Sequence, residues 1–328
     1  MPAPTSDLQL DDLLEEPTAA AADALARLEG DLIVLGAGGK MGPSLCRMAR
    51  RAGAERRRIF AVSRFSNPAA VEQFAECNIE TLPGDLLDRQ FLATLPECPL
   101  VVYMAGMKFG SSEQPSQTWA VNTLLPLLVC ERFRASRIAM FSTGNVYPFV
   151  PVGIGRGCVE TDALAPIGEY AMTCLGRERM FEYCSRTYGI PVSIIRLNYA
   201  TELRYGVLVD IARQVYVNVI WQADANAQAL ASLALAASPP FVLNVAGPEI
   251  LRVRDVALKF GELFGVPVEF TGTEAETALL NDAGQARALF GPPRVSAAEL
   301  IEWTANWIQS GQELWNRPTH FEVRDGKF

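Results

Sequence analysis

The turn Gly36-Ala37-Gly38-Gly39-Lys40-Met41-Gly42 is the first place in the sequence where residue type and spacing imply chemistry. It follows an apolar run, Leu32–Leu35, and precedes Leu45, Cys46, Met48 and Ala49, whose spacing sets apolar side chains on one helical face. Glycines at Gly36, Gly38, Gly39 and Gly42 permit positive φ and let backbone N–H groups approach a ligand, and a helix start adds about half a positive charge. Strand, tight turn and helix in that order cradle a pyrophosphate. The spacing Gly36, Gly39, Gly42 differs from the commoner dinucleotide fingerprint, so on these residues alone an ordinary strand-to-helix loop is the competing reading.

A second candidate lies at the end of the next strand, where Ser63 and Arg64 occupy the place from which an acidic side chain holds the adenosine ribose of NAD. A small residue beside an arginine suits a 2′-phosphate, which favours NADP, with NAD as the alternative. Other chemistries lack their residues. The 328 residues contain one histidine, His320, read as an incidental tail residue, so a Ser-His-Asp triad or multi-histidine metal centre is excluded. Seven cysteines without a C-x-x-C pair read as reduced, mostly buried thiols, and no metal is expected. The net charge of -8 disfavours nucleic acid and anionic membranes as partners and leaves a small-molecule substrate. No apolar run approaches the roughly eighteen residues of a membrane span, and the first residues form neither a basic leader nor an apolar h-region, so a cytoplasmic protein is expected.

The elements that must position these groups follow in order. Strands are expected at 59–62, 79–82, 100–104, 138–141 and 192–197, with helices over 69–76, 88–95, 117–133 and 169–188 between them. That alternation implies right-handed crossovers and a parallel sheet, whose ligands bind beyond the strands' carboxyl ends. Helix 117–133 is apolar on more than one face, which suits burial by a second subunit and a homodimer, and Pro126 predicts a kink. Further strands are expected at 215–220 and 241–245 and helices at 254–264 and 296–308, the last with a Ser296/Glu299 capping box. The fold class is α/β, a Rossmann-like doubly wound parallel sheet with a smaller C-terminal substrate lobe. Its parts are an N-terminal arm and helix at 1–30, a dinucleotide-binding domain at 31–198 and a mixed α/β lobe at 199–328, with 241–246 returning to the main sheet. The arm can dock on a partner subunit or remain a loosely attached extension.

This series of turns resembles the extended short-chain dehydrogenase/reductases, the branch containing NAD-dependent epimerases and dehydratases, from about residue 31 to 198 and more faintly to 311. The 36–42 turn is similar to the family's dinucleotide loop. The resemblance implies that Asp85 and Leu86 contact adenine, that Ala105-Gly106-Met107-Lys108 is the turn whose lysine lies near the cofactor, and that Asn122 orders the active site. It places Thr143 as the serine/threonine four residues before a tyrosine and Tyr170 as the catalytic tyrosine of a Tyr-x-x-x-Lys helix. The lysine position holds Cys174.

That departure bears on mechanism. A lysine about 4 Å from the phenol is worth roughly 4 kcal/mol at an effective dielectric near 20. Without a substitute, Tyr170 would titrate near the ordinary value of about 10. Arg177, seven positions on and roughly on the same helical face, or Lys108 can supply the charge. Cys174 reads as an inert filler, because no histidine is available to activate it. Gly144 and Asn145 stand where dehydratases of the family carry an acidic pair, which argues against dehydration. Arg204 or Arg213 is a candidate for a substrate diphosphate. Two functions stay open: an NAD(P)-dependent oxidoreductase or epimerase acting on a carbonyl or hydroxyl group of a small substrate such as a sugar or nucleotide sugar, and a catalytically degenerate NADP(H)-binding redox sensor or scaffold.

Overall fold

The computed structural model describes residues 1–53, 57–65, 68–209, 216–270, 274–315, 317, 319 and 323–327. Seven strands form one sheet: β1 (Leu32–Leu35), β2 (Ile59–Ser63), β3 (Glu80–Pro83), β4 (Leu100–Tyr103), β5 (Arg137–Thr143), β6 (Val192–Leu197) and β7 (Phe241–Val245). Their order is β7-β6-β5-β4-β1-β2-β3, and each neighbouring pair is parallel. This is the doubly wound Rossmann-like arrangement. Its short strands are rich in Val, Ile and Leu because both faces are covered. Leu32 and Val34 enter one core cluster while Ile33 and Leu35 enter the other, as the two-residue period of a strand requires.

Four of the expected strands match or fall one residue short: β1, β6 and β7 coincide, and β4 stops at Tyr103. β3 is shifted one residue along, and β5 runs on to Thr143. The single strand expected at 215–220 is not formed. Tyr216–Val217 pairs antiparallel with Leu251–Arg252, while Ile220–Trp221 pairs parallel with Ala200–Thr201, and position 215 lies outside the described residues. The break falls at buried Asn218, whose amide donates to the carbonyls of Gly247 at 3.2 Å and Asn281 at 2.6 Å. A buried amide must find partners, and a continuous strand would point it away from them.

The N-terminal segment is no loose extension. It folds as helices α1 (Asp7–Glu15) and α2 (Ala19–Arg27), capped by Ser6 and Thr18, which pack on α3 (Gly42–Gly53). Leu10, Leu14 and Leu25 belong to the main core, and the acidic face that disfavoured burial in sequence is met by Arg47 on Glu15 at 2.7 Å and Arg51 on Asp12 and Glu15 at 2.7 and 2.8 Å.

The opposite face of the sheet is covered by the long helix α4 (Gly168–Tyr188) and by the kinked helix spanning Pro115–Arg132. At Ala120–Leu124 the latter widens into a π turn, with the Leu125 N–H donating to the Ala120 carbonyl. Pro126 explains it, since the ring has no N–H and crowds the carbonyl four residues back. No helix among the described residues is long and apolar enough to cross a membrane.

Truncating Leu14 to alanine is expected to lower the unfolding free energy by about 2–5 kcal/mol in denaturant titration. An unchanged midpoint would mean that the N-terminal helices do not share the core.

Candidate active site

The strands end on one side of the sheet in two tiers: Leu35 stands opposite both Val62 and Tyr103, while β5 continues past Met140, the partner of Tyr103, to Thr143 opposite Leu197. The turns that follow therefore line one crevice. In the glycine turn, Gly36 has φ +93°, and a Cβ there would lie 2.6 Å from the Ala105 backbone nitrogen. A Cβ on Gly42 would lie 2.1 Å from the Ala37 carbonyl. Glycine closes this turn onto the β4 turn and onto its own helix. Gly39, by contrast, is exposed, and a Cβ there would meet only the Gly36 oxygen, at 3.5 Å. Two positions shape the cradle and the third leaves its outer face open, which fits a bound diphosphate. Ser63 packs against Gly38, Arg64 is exposed at the end of β2, and Asp85 and Leu86 follow β3, so these residues gather on one half of the crevice.

The other half holds Thr143, Tyr170, Lys108 and Asn122. Thr143 ends β5, and its Oγ1 accepts from the Asn145 N–H at 3.2 Å and donates to Asn145 Oδ1 at 3.1 Å. Tyr170, in the first turn of α4, lies beside the Thr143 side chain and the Cys174 thiol, both of which act on its phenol. Burial pushes the Tyr170 phenol well above its ordinary range, and the neighbouring thiol adds to this, while Arg177 and the Thr143 side chain pull it down. Cys174 is fully buried, and burial likewise raises its thiol, which suits the filler reading rather than a nucleophile.

Both candidate substitutes for the absent lysine lie beside Tyr170. Lys108 Nζ stands 5.9 Å from the Tyr170 ring centroid and donates to the Thr319 carbonyl at 3.2 Å. Arg177, buried one turn beyond Cys174, donates from Nη1 to the Phe141 carbonyl at 2.9 Å and from Nη2 to Asn122 Oδ1 at 2.6 Å. Asn122 lies within the π turn. Its amide donates to the Met107 carbonyl at 2.9 Å and Thr173 Oγ1 at 3.0 Å, and its carbonyl oxygen also accepts from the Met107 N–H at 2.9 Å. One asparagine thus ties the β4 turn to α4 and to the buried guanidinium.

Several site-building residues were not read from the sequence. Glu178 of α4 receives Arg196 of β6 at 2.8 Å and accepts from Ser142 Oγ at 2.5 Å, fixing the residue before Thr143. Asn281 of the C-terminal lobe lies against Gly144, where an added Cβ would be 2.8 Å from its Oδ1. The available signal was an arginine inside an otherwise apolar strand, Val192–Leu197. Arg204 is not available to a diphosphate: it is held by Glu202 at 3.2 Å and by Asp7 and Asp11 of α1 at 3.3 and 2.7 Å. Arg213 and His320 lie outside the described residues.

A sequence profile of the NAD dependent epimerase/dehydratase family matches residues 32–200, just over half of the chain. The chain belongs to this family. Comparison with curated protein sequences gives no match. Among solved structures, the family fold is shared with MoeE5 in complex with UDP-glucuronic acid and NAD (18% identity, TM-score 0.70, covering 86% of this chain and 100% of that one). UDP-glucuronic acid 4-epimerase from Bacillus cereus in complex with NAD is similar at 16% identity and TM-score 0.71, over 86% of this chain and 100% of that one. UDP-glucose 4-epimerase from Thermotoga maritima with UDP-glucose is similar at 17% identity and TM-score 0.69, over 86% and 99%. The matched residues include the 36–42 turn and the helix on which Cys174 stands where the resemblance expects lysine.

Replacing Glu178 by alanine leaves the Arg196 guanidinium buried without its carboxylate. A loss of about 3–5 kcal/mol in unfolding free energy is expected from chemical denaturation, against about 1.5–3 kcal/mol for Ser142→Ala, which removes one hydrogen bond to the carboxylate.

Proposed function

We propose that this protein is an NAD(P)-dependent epimerase or reductase acting on a hydroxyl or carbonyl carbon of a sugar or nucleotide sugar, with Tyr170 as its acid/base. The observation that carries the reading is the placing of Tyr170, in the first turn of α4, beside the Thr143 side chain at the carboxyl end of β5. The dinucleotide, when bound, supplies hydride-transfer chemistry. Its diphosphate would lie on Gly36, Gly39, Lys40, Met41 and Gly42, its adenine near Asp85 and Leu86, and its nicotinamide half near Ala105, Gly106, Lys108, Asn122 and Tyr170. Ser63 and Arg64 present no carboxylate at the end of β2, which supports a preference for NADP over NAD. UDP-sugars bound by structures of this fold motivate the substrate class.

Within the chain, Thr143 orients the substrate oxygen and Tyr170 exchanges the proton on it. The buried phenol carries its proton at neutral pH, so it is set to donate to a developing alkoxide. Taking a proton from a hydroxyl needs the tyrosinate, and Arg177 is the fixed cation that stabilises it. Arginine stays charged throughout, so it holds the tyrosinate without joining the proton relay. A redox sensor or scaffold without turnover is the second reading, favoured by the uncharged, buried thiol of Cys174. A cytoplasmic, homodimeric state is part of the proposal: Trp119, Leu124, Met172 and Tyr183 are exposed large apolar residues on the kinked helix and α4, two helices packed side by side.

Tyr170→Phe is expected to abolish hydride exchange with a panel of sugars and UDP-sugars while leaving dinucleotide affinity within a few-fold. Retained turnover would remove Tyr170 from the chemistry, and a silent wild-type panel would favour the sensor. Arg177→Met is expected to lower kcat for hydroxyl oxidation at least about tenfold and move the ascending limb of its kcat profile to higher pH, since the tyrosinate loses its nearby charge. Fluorescence titration is expected to give a lower Kd for NADPH than for NADH, and the reverse order would assign the cofactor as NAD. Light scattering is expected to show a dimer that Leu124→Asp dissociates.

A further inference from the structure

A cradle made of backbone N–H groups needs no charged side chain, yet this turn carries Lys40 between Gly39 and Gly42. The side chain crosses the crevice. Its Nζ donates to the Ala200 carbonyl at 2.8 Å and stands 4.7 Å from the Tyr205 ring centroid. Ala200 follows β6, and in the strand order β6 lies on the far side of β4 and β5 from β1, away from Ser63, Arg64 and Asp85. The ammonium is thus carried from the diphosphate turn toward the half of the crevice that holds Thr143 and Tyr170. An ammonium has three donors, of which Ala200 takes one.

The charged groups facing Lys40 are Glu202 and Lys108. Glu202 is buried and accepts a hydrogen bond from Arg204 Nε at 3.2 Å, and Arg204 is shared with Asp7 and Asp11. Burial lowers the Lys40 ammonium, Glu202 raises it and Lys108 lowers it again, leaving it near about 8.

We propose that the Lys40 ammonium is the side-chain cation that binds diphosphate in this crevice, on the nicotinamide side of the glycine turn. This rests on the dinucleotide reading of the site. The same chemistry recognises the diphosphate of a dinucleotide or of a nucleotide sugar. Binding then draws a proton onto Lys40 wherever the free lysine has lost it. Below about pH 7 the ammonium is already charged and affinity is flat. As pH rises through about 8, each ligand bound must restore a proton, so affinity falls by up to about tenfold per pH unit.

The test is a fluorescence titration of the full chain with NADPH and NADH from pH 7 to 9.5 at constant ionic strength, for wild type, Lys40→Arg and Lys40→Met. Circular dichroism establishes that each variant is folded. Wild-type Kd is expected to rise about tenfold across the range. Lys40→Arg is expected to bind tightly with no such rise, because arginine keeps its charge. Lys40→Met is expected to bind about tenfold more weakly at pH 7 and to show no rise. A parallel arm titrates UDP-glucose into dinucleotide-saturated protein, and Lys40-dependent, pH-dependent binding in either arm supports the proposal and names the source of the diphosphate. Affinities in both arms that are the same in wild type and Lys40→Met, or that follow the same pH curve, overturn it. Absence of any dinucleotide binding by the wild type instead overturns the dinucleotide reading itself.

Discussion

The buried guanidinium of Arg177 is the constraint around which the crevice is arranged. A charge taken out of water persists only where its donors are met, and here the Phe141 carbonyl of β5 and the side-chain oxygen of Asn122 meet two of them. Those partners come from two elements, so β5, the π turn and α4 are held to one another at the depth of the site. Gly106 follows from the same contact. A Cβ there would lie 2.5 Å from Arg177 Nη2 and 3.2 Å from Asn122 Oδ1, so the β4 turn needs glycine for space. Gly176 works similarly, since a Cβ there would lie 2.7 Å from Thr123 Oγ1 of the π turn. Small residues let two helices approach closely enough for a single asparagine to bridge them.

A second buried pair supports the first from below. Arg196 enters β6 as the one charge among apolar neighbours, and its carboxylate, Glu178, is the residue after Arg177 on α4. Successive residues on a helix point about 100° apart, so α4 sends one charged side chain toward β4 and the π turn and the next toward β6. The Ser142 hydroxyl joins the second pair, and Thr143 is the next residue in the chain. The threonine beside Tyr170 is therefore fixed through its neighbour, by a charge-assisted bond rather than by loop packing.

The sequence made the sheet legible because its central strands are short apolar runs, and a doubly covered parallel sheet needs little more; the edge strand β3, Glu80–Pro83, is the more polar exception. The capping box at Ser296 and Glu299 was legible for the same reason, being a contact between residues three apart. The kink was legible from Pro126, though its form as a π turn depends on what packs against Asn122. What escaped was set by distant partners. The acidic first helix reads as solvated until Arg47 and Arg51 are placed beneath it, and the strand at 215–220 reads as continuous until Asn218 is found bonded to Gly247 and Asn281. Arg204 reads as a free cation by composition, and only the fold brings Asp7 and Asp11 to it across nearly two hundred residues.

On the proposed reading, Cys174 in the place of a lysine amounts to a relocation of charge along α4. From position 174, one turn after Tyr170, a lysine would meet the phenol with a flexible ammonium free to serve both tyrosine and ribose. From position 177 the cation comes from one turn further along the helix, and its guanidinium is locked by two hydrogen bonds and buried against the Tyr103 ring at 5.8 Å. A second cation at 174 would sit beside this one in a low-dielectric interior, where like charges repel strongly. A small neutral thiol beside the phenol avoids that repulsion and fills the space. The consequence is a tyrosine influenced by a fixed field, with the ammonium groups of Lys40 and Lys108 held on the turns after β1 and β4 by the Ala200 and Thr319 carbonyls.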